Sequence, residues 1–202
     1  MKTRPLAFDS VDYRLTKALM IAVAAGAPLF AFGFSVYDAL AGKPLRVTLP
    51  VARVEAVGVA PGVQVTPWGL VAVEATDASI GHRALSLLPS VVVVFATWVA
   101  LRLLWRVVTA AAAGKPFTVD TVHCLRAVAL VVFLGAGLHW LTAGLVNAAL
   151  SRRFLPGEEA TVFATALGSG ALIALGAGLL FAMVAEICAH GVVLEGELEG
   201  LV

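Results

Sequence analysis

Four stretches of this chain run for about twenty residues or more with few charges, and one interval between them alternates instead. The apolar stretches are Leu15 to Val36, Leu85 to Val108, Val122 to Asn147 and Thr161 to Ala189. A hydrocarbon core about 30 Å thick takes about 20 helical residues, so each is long enough to cross it. The first contains Gly26 and Pro28, which predicts a bend near its middle. Pro89 lies near the start of the second, where a missing N–H costs little. The interval from Asp38 to Ser86 holds "LRVTLPVARVEAV" and "GVQVTPWGLVAVEAT". Its period of two and its many Val residues read as strand, and Pro50, Pro61-Gly62 and Pro67 keep those strands short or at edges. The expected fold is an α-helical polytopic membrane protein. It has four transmembrane helices and a small extracytoplasmic antiparallel β unit of two to four strands between helices 1 and 2. Alone such a unit is marginal, so it should lean on helix ends or on a partner chain.

The expected order is a cytoplasmic N-terminus at 1–14, a first span at 15–37 and the β-rich loop at 38–84. A second span with a cytoplasmic extension covers 85–113, and an elbow covers 114–121. The third span is 122–147, an outer loop 148–160, the fourth span 161–190 and an acidic tail 191–202.

Composition supports this reading. Apolar residues make up 60% of the chain and charged residues 13%, against about 45–50% and about 25% in soluble domains. One core could not hide so much apolar surface, so the solvent is partly lipid. A net charge of +1 leaves no footprint for direct nucleic-acid binding. Cys124 and Cys188 are too few for a disulfide framework and lack metal-ligand spacing. Lys2, Arg4, Arg14 and Lys17 before an apolar run, with Ala39-Leu40-Ala41 after it, have the look of a signal peptide. Ala18 to Val36 is nineteen residues without charge, longer than a usual signal core, so a retained helix is expected.

Orientation follows from Lys and Arg. Lys2, Arg4, Arg14 and Lys17 lie before or at the start of the first span, and Arg102, Arg106, Lys115 and Arg126 surround the connection between the second and third. Arg152 and Arg153 on the other side are offset by Glu158 and Glu159. Long loops weigh little, which discounts Lys43, Arg46, Arg53 and Arg83. Both termini are therefore expected in the cytoplasm.

Polar residues inside the spans are the candidate chemistry. His139, beside Trp140, has no second ligand nearby; the simpler reading is a neutral ring bonded to a carbonyl or to Thr142. Glu186 needs a partner, and a structural ion pair with Arg126, Arg102 or Arg106 is expected. Proton handling is the weaker alternative, since a transporter would want several such groups near the midplane. Arg102 and Arg106 also flank Trp105, the ordinary pattern of snorkelling arginines with an aromatic anchor. Gly135, Gly137 and Gly144 in the third span and Gly170, Ala174 and Gly178 in the fourth offer small residues for close approach. A packing seam is the simpler reading; a slide plane or an oligomer interface is the sharper one. No nucleophile elbow, phosphate loop, HExxH or paired catalytic carboxylates are present, so neither an enzyme nor a cofactor or metal site is expected.

"GKPFTVDTVHCLR", Gly114 to Arg126, interrupts the apolar pattern. Gly114 should cap the second helix and Pro116 should stop it. Phe117 is then free to tuck back, Thr118 can cap the third helix, and Asp120 suits its first turn. Lys115, Phe117, Asp120 and His123, with Glu195, Glu197 and Glu199 of the tail, form a candidate docking surface. The bland alternative is a well-capped elbow and a solvated acidic end.

"AAGKPFTVDTVHCLRAVAL" resembles the central motif of the bacterial membrane protein family called domain of unknown function 2975. The positions that carry the likeness are Gly114, Pro116, Phe117, Thr118, Leu125 and Arg126. The chain end, "FAMVAEICAHGVVLEGELEGLV", is similar too, at Ala185, Glu186, Gly191, Leu194, Glu195 and Val202. Departures are Asp120-Thr121 where the family has Asn, and a tail reading Glu199-Gly200-Leu201-Val202. The resemblance implies the bacterial inner membrane, four spans with a strand-rich outer loop, and no established activity. Many members are similar to proteins encoded beside a small helix-turn-helix regulator. It therefore implies an accessory or sensory membrane protein with a cytoplasmic protein partner. The alternative is a non-catalytic subunit of a transport or assembly complex, bound to membrane subunits, or a homo-oligomeric scaffold.

Overall fold

The computed structural model describes residues 10–50, 63–65, 70–75, 78–115, 117–154 and 169–199, with side chains at 11–45, 78–115, 117–152, 172–194 and 197. Four long helices dominate: α1 (Ser10–Leu40), α2 (Ile80–Ala112), α3 (Val119–Phe154) and α4 (Ser169–Glu199). Each is long and apolar enough to cross a membrane. Between α1 and α2 the backbones of β1 (Leu45–Pro50), β2 (Val63–Val65) and β3 (Leu70–Ala75) pair antiparallel in the order β1-β3-β2. Leu45 faces Ala75 and Val63 faces Val73.

The helix ends follow from local chemistry. Gly42 and Gly114 have φ of 66° and 76°, a left-handed conformation that favours glycine. Each closes a Schellman motif. After α1, the N–H of Lys43 donates to Asp38 O (2.9 Å) and that of Gly42 to Ala39 O (3.3 Å). After α2, Lys115 donates to Ala110 O (3.1 Å) and Gly114 to Ala111 O (3.0 Å). The same pattern ends both helices in sequence, Ala41-Gly42-Lys43-Pro44-Leu45 and Ala113-Gly114-Lys115-Pro116-Phe117.

Helix α2 begins at Ile80 because Ser79 and His82 form a reciprocal cap. The His82 N–H donates to Ser79 Oγ (3.4 Å), and the Ser79 N–H donates to His82 Nδ1 (3.3 Å). The imidazole stands where a capping box usually has Glu. Pro89 consequently lies more than two turns inside α2 rather than near its start. Helix α3 passes through Asn147 and continues to Phe154, into the segment expected as the loop 148–160. Its buried stripe carries it there: Val146, Leu150 and Ser151 are all buried. Helix α4 likewise continues through 191–199. Residues 155–168, which include the expected start of the fourth span, lie outside the described residues.

The chain divides into two compact units. The first comprises 1–27, 95–134 and 174–202. Its core is a helical stripe of α3, Thr121, Val122, Leu125, Val128 and Ala129, with Met20 of α1 and Ala185 of α4. The second comprises 28–94 and 135–173, with Val94, Val146 and Leu150 buried. Large apolar side chains such as Leu15, Phe30, Phe95, Leu134, Leu172 and Ile187 stay exposed along the spans, the reverse of a soluble core.

Candidate functional site

The elbow after α2 is the best defined polar region, and it lies in the first unit. Thr118 caps α3: its Oγ1 accepts from the Thr121 N–H (3.2 Å) and lies 2.9 Å from Thr121 Oγ1. That cap points the first turns of α3 so that Leu125 is buried at 4% exposure while Arg126, one position on, remains exposed. Arg126 Nη2 reaches Glu186 Oε2 of α4 at 3.1 Å. Of the three expected partners, Arg126 is the one that pairs with Glu186; Arg102 and Arg106 do not. On the same face of α4, His190 Nδ1 donates to the Glu186 carbonyl (2.9 Å) and sits 4.0 Å from Glu186 Oε1.

Phe117 closes the elbow. Its ring lies on the backbone of Gly191, where an added Cβ would stand 2.8 Å from Cδ1. Ala185, next to Glu186, is fully buried. Helix α4 therefore meets the elbow at Glu186 and Gly191. Lys115, Asp120, His123 and Glu197 are exposed, and Phe117 is 43% exposed. The side chains of Glu195 and Glu199 lie outside the described residues.

The small residues of α3 and α4 behave differently from one another. Gly178 is buried under Phe133, whose ring would stand 3.1 Å from an added Cβ. Gly144 is buried; Gly135 and Ala174 are half-buried. Gly137 faces open space, as does Gly176, so among the described residues Gly137 joins no packing seam. Gly170 lies in the first turn of α4. In the second unit, His139 Nδ1 donates to the Pro89 carbonyl (3.2 Å), while Thr142 bonds back to its own helix. Cys124 and Cys188 are free and half-buried. Among the described residues no three His, Cys, Asp or Glu side chains are grouped for a metal ion.

The first unit has a second feature, which depends on contacts between α1 and α2. Helices α1 and α2 run antiparallel there, with Tyr13 OH 3.5 Å from Ala111 O, Lys17 Nζ 5.4 Å above the Trp105 ring, and Trp98 Nε1 donating to Ala24 O (2.8 Å). The last bond has a cause in sequence. Pro28 has no N–H, so Ala24 O has lost its ordinary helical donor, and the indole of Trp98 supplies one. Beside this bond lies a cavity of about 630 Å³. Its α1 wall is Met20, Ile21, Ala24 and Ala25. Its α2 wall repeats at helical spacing, Trp98, Leu101 and Trp105, with Arg102 and Arg106 on the same stripe.

Four apolar membrane-length helices with polar groups paired between them define a multi-pass helical membrane protein. More narrowly, the family described as "Protein of unknown function (DUF2975)" has a model that matches residues 55–202, 148 of the 202 residues, and the chain belongs to that family. No curated protein and no solved structure matches the chain.

Proposed function

We propose that this protein is an accessory or sensory component of the bacterial inner membrane without enzymatic activity. Both termini and the elbow face the cytoplasm, in keeping with the distribution of Lys and Arg. The segment between α1 and α2 acts as a small antiparallel β unit on the outer side and responds to a ligand, a lipid or the state of the envelope. The elbow and the end of α4 form one cytoplasmic surface for a protein partner, such as a small helix-turn-helix regulator. The observation that carries this reading is the joining of residues 114–126 to 185–191 through Arg126–Glu186 and Phe117–Gly191. A movement of α4 along α3 would then change the surface offered by Lys115, Asp120 and His123. The test is crosslinking in native cells followed by purification in mild detergent. Recovery of a small DNA-binding protein, lost when the residues after Gly191 are removed or Lys115 and His123 are replaced, supports the proposal. Recovery of no cytoplasmic protein that depends on these segments sinks it.

A second reading is a non-catalytic subunit of a transport or assembly complex, or a homo-oligomeric scaffold. Gly137 and Gly176, small residues with open space around them, favour it, because small residues on a lipid-facing surface let another helix approach closely. Bulky substitutions at Gly137 and Gly176 that leave the size of the purified particle unchanged would count against it.

A further inference from the structure

We infer that the cavity between α1 and α2 is a binding site for one anionic phospholipid, with an acyl chain in the apolar slot and the phosphate on Arg102 and Arg106. The slot is about 630 Å³, within the size range of small-molecule sites, and most of its wall is apolar. It lies along helices that cross the membrane, where the molecule at hand is lipid. An acyl chain fits Met20, Ala25 and the two indole rings, but apolar contact alone would not distinguish one lipid from another.

The charges supply the distinction. Among the described residues Arg126 is engaged with Glu186, Lys43 with Asp38, and Arg83 with the Lys43 carbonyl. Arg102 and Arg106 are exposed and have no ion pair or hydrogen bond among the described residues. They stand one turn apart, about 6 Å along one helix face, close enough for two guanidinium groups to share one phosphate. Lys17, held over Trp105, adds a third positive charge beside the slot. Ordinary snorkelling needs no cavity beneath the arginines; here the cavity and the paired cations coincide. Trp98 is fixed by its bond to Ala24 O, so that side of the slot is preformed.

The experiment uses the full chain in vesicles of phosphatidylcholine doped with brominated phosphatidylglycerol or brominated phosphatidylcholine, and reads quenching of tryptophan fluorescence. At equal mole fraction the brominated phosphatidylglycerol should quench more, with a relative affinity of about fivefold or greater, the effect of one or more basic residues near an anionic headgroup. Arg102→Gln with Arg106→Gln should bring the ratio close to one, while Arg102→Lys with Arg106→Lys should keep a preference. Ala25→Phe, which fills the slot, should reduce quenching by both lipids. A wild-type ratio near one, or a ratio unchanged in the double Gln variant, overturns the proposal. So does weak quenching by both lipids together with a dimer that Ala25→Phe disperses, which would place a second copy of the chain in the slot.

Discussion

Trp98→Phe should unmask the cost of Pro28. The proline leaves Ala24 O without its helical donor, and Trp98 Nε1 fills that role at 2.8 Å. Both residues lie within the membrane-length segments, where lipid tails offer no replacement donor. A hydrogen bond of this kind contributes about 0.5–1.5 kcal/mol net, but a carbonyl left unpaired away from water costs about 1–3 kcal/mol. The loss of ring area adds less than about 1 kcal/mol, because Trp98 is 50% exposed. Trp98→Phe alone should therefore destabilise the protein by about 2–3 kcal/mol. Pro28→Ala restores an N–H to Ala24 O, and in that background the same change should cost only the ring-area part. The coupling in the double-mutant cycle should be about 1–2 kcal/mol. The assay is reversible unfolding in mixed micelles with rising mole fraction of sodium dodecyl sulfate, followed by far-ultraviolet circular dichroism. Equal losses from Trp98→Phe in the two backgrounds, to within about 0.5 kcal/mol, would refute the argument that the indole substitutes for the missing amide.

Three further outcomes can be read by the same unfolding assay. Gly191→Ala places a Cβ 2.8 Å from the Phe117 ring, so an overpacking cost of about 1–3 kcal/mol opposes a helix-propensity gain of about 1 kcal/mol. Because that ring is half exposed and can swing, a net loss of about 1 kcal/mol is expected, reversed by Phe117→Ala; Gly176→Ala, in open space, should instead stabilise. Glu186→Gln and Arg126→Gln should each destabilise and the double variant should recover part of the loss. Both side chains are more than half exposed, so the coupling should be that of a surface pair, roughly 0.2–1 kcal/mol, and a coupling near zero would refute a structural role for the pair. Gly114→Ala should cost about 1–2 kcal/mol because its φ is 76°, with Gly114→Asn milder; equal stability of all three proteins would contradict the left-handed cap.

What could be read from sequence was local. Four apolar runs name four membrane helices, since length and hydropathy are sufficient where the solvent is lipid. The elbow was legible residue by residue, because Gly114 and Thr118 act on backbone groups a few positions away. By the same logic Gly42 and Ser79 carry local signals: the Ala-Gly-Lys-Pro pattern occurs twice, and His82 occupies the place where a capping box usually has Glu. Both features lie at helix ends, where apolar periodicity says least. Helix α3 continues beyond Asn147 with Leu150 and Ser151 buried, and burial by other segments cannot be read from polarity alone.

Partner choice belonged to the tertiary structure. Sequence named three arginines for Glu186; only the register of α3 against α4 selects Arg126, and the same register places Gly191 under Phe117 and Gly178 under Phe133. It also leaves Gly137 in open space, although its composition is that of a packing residue. The repair of Ala24 O by Trp98 spans 74 positions, and the cavity beside it exists only because two helix faces meet. A helical period states which residues share a face; which faces touch depends on contacts between segments far apart in the chain, and those are settled only when the helices have packed.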